Sequence, residues 1–378
     1  MSNPAPAPFF HRSRVTVHCG RPASFLPGGR LIAMIEIDGS MHSGSGTVFR
    51  YAVALAALTG EPLQMRHIRA RREKPGLRPQ HLQAARACAA FCGGQLSGDE
   101  VGSRQIVFQP GRTRKGGVFR FDIGTAGSAT MLAFTLLPLA LYAETPSRFS
   151  LTGGLFQDFA PSAFHLRDVL FPHLQSMGAC IRMKIERPGY VPKGGGRISL
   201  EVEPIRRKLE PLTRLQQGSP RQFRGISLAS NLSDEKVSER MAARCRELLA
   251  VKVPVEFEVL HDSSALQKGA ALFLRADTTT GCILGADHAG KPGRRSEAIA
   301  EFVVSTLRED LATGATVDRH LADQLIFFAA LADGETRYRI PMMTDHVESN
   351  LCIVETMLGA RTARDGNIIT IGGIGLKP

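Results

Sequence analysis

The sequence predicts an α/β body of three stacked repeats, each a helix pair on a small sheet, with a small α+β domain inserted. Two observations lead there. An extended segment, a small-residue turn and an apolar helix recur along the chain in that order. After each comes a second, amphipathic helix that stops on a glycine, the residue that most easily supplies a left-handed turn. One copy could not bury both its helices and one face of its sheet, so the copies must pack together.

Residues 1–30 are rich in Pro, Arg and Gly without an apolar signal-peptide core, and read as a flexible basic leader with no export signal. The first repeat opens with LIAMIEIDG (residues 31–39), turns through SMHSGSG and enters a helix over 48–58. Its second helix covers 80–92, before Gly93. The second repeat opens with FRFDIG (119–124), turns through TAGS and enters a helix over 129–142; its second helix covers 162–177, before Gly178. A helix over 322–331 and another over 347–358, before Gly359, make the third pair, whose opening strand cannot be placed. Alternating runs follow the second helices, as in ACIRMKIE (179–186) and NIITIGG (367–373). Residues 206–292 break this rhythm. Their strand-like runs GISLAS, VEFEVL and AALFLRA and a helix over 234–250 suggest the inserted domain, leaving 31–205 and 293–378 as the body.

Composition excludes several classes of protein. Apolar residues make up 43% and charged residues 22% of 378, values of a folded globular chain and not of a disordered one. The longest apolar stretch, residues 131–143, contains Pro138 and is too short to span a bilayer. Seven scattered cysteines form no Cys-x-x-Cys pair, so no zinc site is expected and the thiols read as reduced and cytoplasmic. Cys88 and Cys92 share a helix face with Ala84 and Ala85, which suits core packing. A formal charge of +12 favours a polyanionic partner, nucleic acid or nucleotide.

Four segments carry candidate chemistry. DGSMHSGSG (38–46) has the form of a glycine-rich turn leading into a helix, where free N–H groups cradle phosphate; a plain tight turn fits equally well. PKGGGRI (192–198) sets three glycines between Lys193 and Arg197, as a ligand loop or as a bulge. The run RHIRARREKPGLRPQH (66–81) holds six Arg or Lys residues, and Pro75, Gly76 and Pro79 shape it into a turn suited to phosphates. His346 lies at the start of a helix, where the dipole disfavours imidazolium and keeps the ring neutral and nucleophilic. From position alone, a cap or surface histidine fits it as well.

Taken together, these blocks resemble the RNA 3′-terminal phosphate cyclase family from residue 31 to the C-terminus. IEIDG with Arg50, IRARREKPGLRPQH, GGLFQDFAP, GYVPKGGG, HLADQL and HVESNLCIVE match the family's blocks in number and order. The resemblance implies three repeats of a helix pair on a four-stranded sheet, with a smaller inserted α/β domain. It implies ATP and Mg²⁺ or Mn²⁺ as cofactors and RNA with a 3′-phosphate end as substrate, with no membrane partner. It makes His346 the nucleophile that carries AMP before the RNA end is activated and closed to a 2′,3′-cyclic phosphate. Arg50, Arg69 and Arg72 would hold ATP or RNA phosphates with help from Gln80. Asp323 and Gln324 would contact adenosine beside Pro161, and His320 stands where the family places an adenine-stacking aromatic.

Departures accompany the match. Ser43 stands where the family has its metal-binding glutamate, and Phe134 where it has a glutamine in the second repeat. Asp38, His42 or the ATP phosphates themselves are the remaining candidates to hold the metal. A non-catalytic RNA-binding or ribosome-assembly factor on the same fold is the competing reading. An enolpyruvyl transferase is a poorer one, since those enzymes have six repeats and lack such a histidine block.

Overall fold

The computed structural model describes residues 23–25 and 31–378. Of the basic leader, only Ala23–Phe25 (β1) is described, paired antiparallel with Leu31–Ala33 (β2); the rest of residues 1–30, Cys19 included, lies outside the described residues.

The first repeat runs β3 (Ile35–Asp38), α1 (Gly46–Thr59), β4 (Leu63–Arg66), α2 (Pro79–Cys92), β5 (Gln95–Ser97) and β6 (Ile106–Gln109). Its sheet has the order β3-β4-β6-β5, with β3 parallel to β4 and the other neighbours antiparallel. The second repeat follows the same path through β7 (Gly117–Asp122), α3 (Ala129–Leu141) and β8 (Ser147–Gly153). Its second helix comes in three pieces, α4 (Ala163–His165), a π-helical turn at Leu166–Leu170 and α5 (Phe171–Ser176), where the sequence predicts one regular helix. Strands β9 (Cys180–Arg187) and β10 (Gly196–Glu203) complete the order β7-β8-β10-β9.

The third repeat is split. Its opening strand is β11 (Thr213–Arg214), which precedes β12 (Pro220–Ser230), α6 (Val237–Leu249), β13 (Val255–Asp262), β14 (Gly269–Thr278), β15 (Ile283–Ala289) and α7 (Ser296–Ala312). The repeat resumes with α8 (Leu321–Leu331), β16 (Glu335–Arg339), α9 (Asp345–Leu358), β17 (Arg361–Asp365) and β18 (Ile368–Gly372). The order β11-β16-β18-β17, with β11 parallel to β16, reproduces the other two sheets.

Local chemistry sets the helix ends. Ser45 and Ser128 cap α1 and α3 by accepting from the backbone N–H of Thr47 and Met131. Gly93 and Gly359 close α2 and α9 with φ of 68° and 70°, a backbone region unfavourable to residues with a Cβ. Helices α1, α3 and α8 are apolar nearly all round because they meet at the centre of the molecule. There Tyr51 packs on Phe134 and Phe327, with ring centres 5.8 and 4.8 Å apart. Burial of each such ring contributes about 1.5–3 kcal/mol.

A second core lies between the sheet β13-β12-β14-β15 and helices α6 and α7, with Met241, Cys245, Leu274, Val303 and Leu307 inside it. On the other side of this sheet, Ile226, Leu228 and Phe273 join the main core, and Phe273 meets the rings of Phe164 and His165. The glycines of PKGGGRI have a packing role. A Cβ on Gly194 would stand 2.7 Å from Ala126 Cα, and one on Gly196 would stand 2.6 Å from Gly189 N, so this loop lies backbone to backbone against its neighbours. Cys88, Cys92, Cys245 and Cys282 are buried thiols. Among the described residues no helix is long and apolar enough to cross a membrane.

Candidate active site

Thr344 starts α9 by accepting from the backbone N–H of Val347, which puts His346 in the first turn. Its ring is gripped on one side. Nδ1 lies 3.3 Å from Thr47 Oγ1 of α1 and 3.4 Å from Asp323 Oδ2 of α8. With the proton on Nδ1, shared with the Asp323 carboxylate, Nε2 keeps its lone pair for an incoming group. Asp323 is itself fixed, because its backbone carbonyl accepts from Tyr51 Oη (2.6 Å) and Asn350 Nδ2 (3.1 Å). Side chains from α1 and α8 therefore set an imidazole carried by α9.

The ring opens into a pocket of about 310 Å³ whose walls include Arg50, Arg72, Pro161, His320, Asp323 and Gln324. Arg50 is the most unusual of these. Burial disfavours its charge and brings the guanidinium down to about 10, against the opposing pull of Asp323 and with the added repulsion of Arg69. Among the described residues its Nε has no hydrogen-bond partner, nor do the buried Gln324 Oε1 and Asn350 Oδ1. An unsatisfied buried polar atom costs about 1–3 kcal/mol, so the two that belong to the pocket lining, Arg50 Nε and Gln324 Oε1, suit a polar ligand. Phe134 forms an apolar wall of the same pocket, tilted against Tyr51 and edge-on to Phe327 and Phe328.

Arg69 and Gln80 fall outside the pocket lining and serve its frame. Arg69 Nη1 donates to the carbonyls of Lys74 and Gly76, each at 2.8 Å, and so holds the basic loop in shape. Gln80 Oε1 accepts from the Ser128 N–H at the start of α3. Behind them His81 is buried. Desolvation first, then the charges of Arg50, Arg69, Arg78 and Arg72, push its pKa well below the usual imidazole value, so it stays neutral. So many cations facing one lip repel one another unless an anion lies among them.

The sequence profile of the RNA 3′-terminal phosphate cyclases matches residues 41–363. The chain belongs to the RNA 3′-terminal phosphate cyclase family. It is 37% identical over 341 residues to the RNA 3′-terminal phosphate cyclase of Archaeoglobus fulgidus, covering 89% of this chain and all of that one. It is 35% identical to that of Pyrobaculum neutrophilum, over 90% of this chain and 99% of the relative. The Methanothermobacter thermautotrophicus cyclase is 37% identical, over 88% of this chain and 97% of its own.

Ser43, the position at which the sequence resemblance expects a metal ligand, is engaged by other serines. Ser43 N–H donates to Ser349 Oγ (3.2 Å), and the Ser43 hydroxyl lies 2.9 and 3.0 Å from those of Ser349 and Ser45. Asp38 faces Ser40 and His67, while His42 Nδ1 lies 3.9 Å from Glu348. Among the described residues no three His, Cys, Asp or Glu side chains converge as ligands. This donor set does not fit a metal ion held by the protein alone. Thr47 and Tyr51 also line the His346 pocket, and Asn350 donates to the Asp323 carbonyl; the sequence alone did not point to these three. Their spacing offered a signal, since Thr47, Arg50 and Tyr51 share one face of α1 and Asn350 lies one turn beyond His346.

Proposed function

We propose that this chain is an ATP-dependent RNA 3′-terminal phosphate cyclase in which His346 carries AMP. The observation that supports it is the His346–Asp323 contact, 3.4 Å at Nδ1, which leaves Nε2 free as the nucleophile. Nε2 attacks the α-phosphorus of ATP, the bond to the bridging oxygen breaks, and pyrophosphate leaves. An oxygen of the RNA 3′-phosphate then takes the adenylyl group and restores the free imidazole. The neighbouring 2′-hydroxyl attacks the activated 3′-phosphorus, loses its proton and expels AMP, leaving a 2′,3′-cyclic phosphate.

Each named residue has a part in that reading. Arg50 and Arg72 stabilise negative charge gathered on the transferring phosphate, and burial of Arg50 strengthens the effect. Gln324, Pro161 and His320 receive the adenosine. Arg69 and Gln80 act by shaping the loop and the α3 start that present Arg72 and Arg50. A Mg²⁺ or Mn²⁺ ion, on this reading, is held by the nucleotide phosphates, as Ser43 offers no carboxylate. The reduced thiols suit a cytoplasmic setting.

Incubation with ATP labelled at the α-phosphate tests the assignment. The wild-type chain should form an acid-labile protein–AMP adduct and His346→Ala should form none. Equal labelling of the two proteins would remove His346 from its role.

A further inference from the structure

We infer that Phe159 is the stacking platform for the 3′-terminal nucleobase of the RNA. The inference rests on the cyclase reading above and adds a contact to it. Phenylalanine is ordinarily an interior residue, yet this one is 99% exposed at the rim of the His346 pocket. Its exposure does not come from a loose segment. Gln157 and Ala160 bridge across a tight turn with Asp158 and Phe159 at the tip. Asp158 is clamped by Arg294, from the loop between β15 and α7, through Nη1 and Nη2 at 2.7 and 2.8 Å, and His288 Nδ1 of β15 lies 3.5 Å away. A ring held out to solvent on a fixed turn is already arranged for a flat partner, so little freedom is lost when one stacks.

Depth decides which reactant that partner belongs to. Along the same turn Phe159 is fully exposed, Ala160 is partly covered and Pro161 is buried, while Gln324, in the lining of the same pocket, is 3% exposed. ATP must enter first and fill the inner part, because His346 has to receive AMP before any RNA end can be activated. The RNA end then approaches from the solvent side, between the cationic lip of Arg72 and the rim. Its phosphate is drawn to the arginines, and its terminal base is the flat surface left to meet Phe159.

Equilibrium binding by fluorescence anisotropy tests this with two 3′-phosphorylated oligoribonucleotides, one intact and one lacking only the terminal nucleobase. The wild-type chain should bind the intact RNA about tenfold more tightly, the effect of one base–aromatic stack. Phe159→Ala should weaken the intact RNA to the level of the abasic one, and Phe159→Trp should keep the preference. The KM for ATP and formation of the protein–AMP adduct should be the same in Phe159→Ala as in the wild type, which also shows that the variant is folded. A Phe159→Ala chain that still prefers the intact end by the wild-type ratio overturns the inference. So does a rise confined to the KM for ATP, which would assign the ring to adenine. Failure of the cyclase reading is a separate result, no cyclic phosphate from either RNA, and leaves the binding comparison readable.

Discussion

His346 could be read from the sequence as a helix-start histidine, but its orientation could not. What makes it a candidate nucleophile is Asp323, which lies 23 positions away in another helix and comes within 3.4 Å of Nδ1. Asp323→Asn should therefore slow formation of the protein–AMP adduct by about 10²-fold or more, because an amide can turn its NH₂ to Nδ1 and fix the wrong tautomer, and it offers no charge to the imidazolium that develops. Binding of ATP, measured separately by calorimetry, should change far less. Gly46 illustrates a constraint of another kind. A Cβ there would stand 2.1 Å from His81 Nε2 and 3.1 Å from Arg50 Nη1, with His81 buried and Arg50 half-buried. Gly46→Ala should displace Arg50 and reduce adduct formation while far-ultraviolet circular dichroism stays that of a folded chain.

At the scale of elements, the start of α8 depends on a buried pair. Asp318 Oδ1 accepts from the N–H groups of His320 and Leu321, its Oδ2 accepts from Gly285 of the inserted sheet, and His165 Nε2 lies 3.0 Å from it. Burial alone would lower the His165 pKa, but the Asp318 charge and hydrogen bond overcome it and the value is raised. Burial acts the opposite way on Asp318, and there His165 wins, holding the carboxyl far below its ordinary range. Asp318→Asn should cost about 3–5 kcal/mol, read by urea denaturation. His165 contributes stability fully below its unfolded pKa near 6.5 and loses it as pH rises through the elevated folded value. Asp318 contributes above its unfolded value near 3.8 and loses that as pH falls through the depressed one. The gap between Asp318→Asn and the wild type should thus be widest between about pH 4 and pH 6.5 and narrow at alkaline pH. Helices of this kind were legible from their apolar spacing and glycine stops. Strand β11 was not, since a two-residue parallel strand carries no period to read. Helix α7 went unassigned although Ile299, Ala300, Val303, Val304 and Leu307 follow helical spacing, because no repeat partner pointed to it.

Over the whole molecule, the excess of positive charge should make RNA capture salt-dependent. For a single strand the slope of log affinity against log salt is about −0.7 per phosphate neutralised, so Arg72→Ala should reduce it by about that much at constant fold. The metal offers a second check. Without nucleotide the chain should take up little Mn²⁺ by electron paramagnetic resonance, and Ser43→Glu should tighten uptake about tenfold by adding a carboxylate. By itself the sequence determined the repeat plan, the helix pairs, the family and the residue types of the site, since these follow from local periodicity, glycine stops and recognisable blocks. The tertiary structure decided which of those residues meet. It turned Arg50 inward, set Asp323 against His346, tied Ser43 to Ser349 and left Phe159 in solvent, because burial and contact across separate repeats depend on how the helices pack and not on any spacing along the chain.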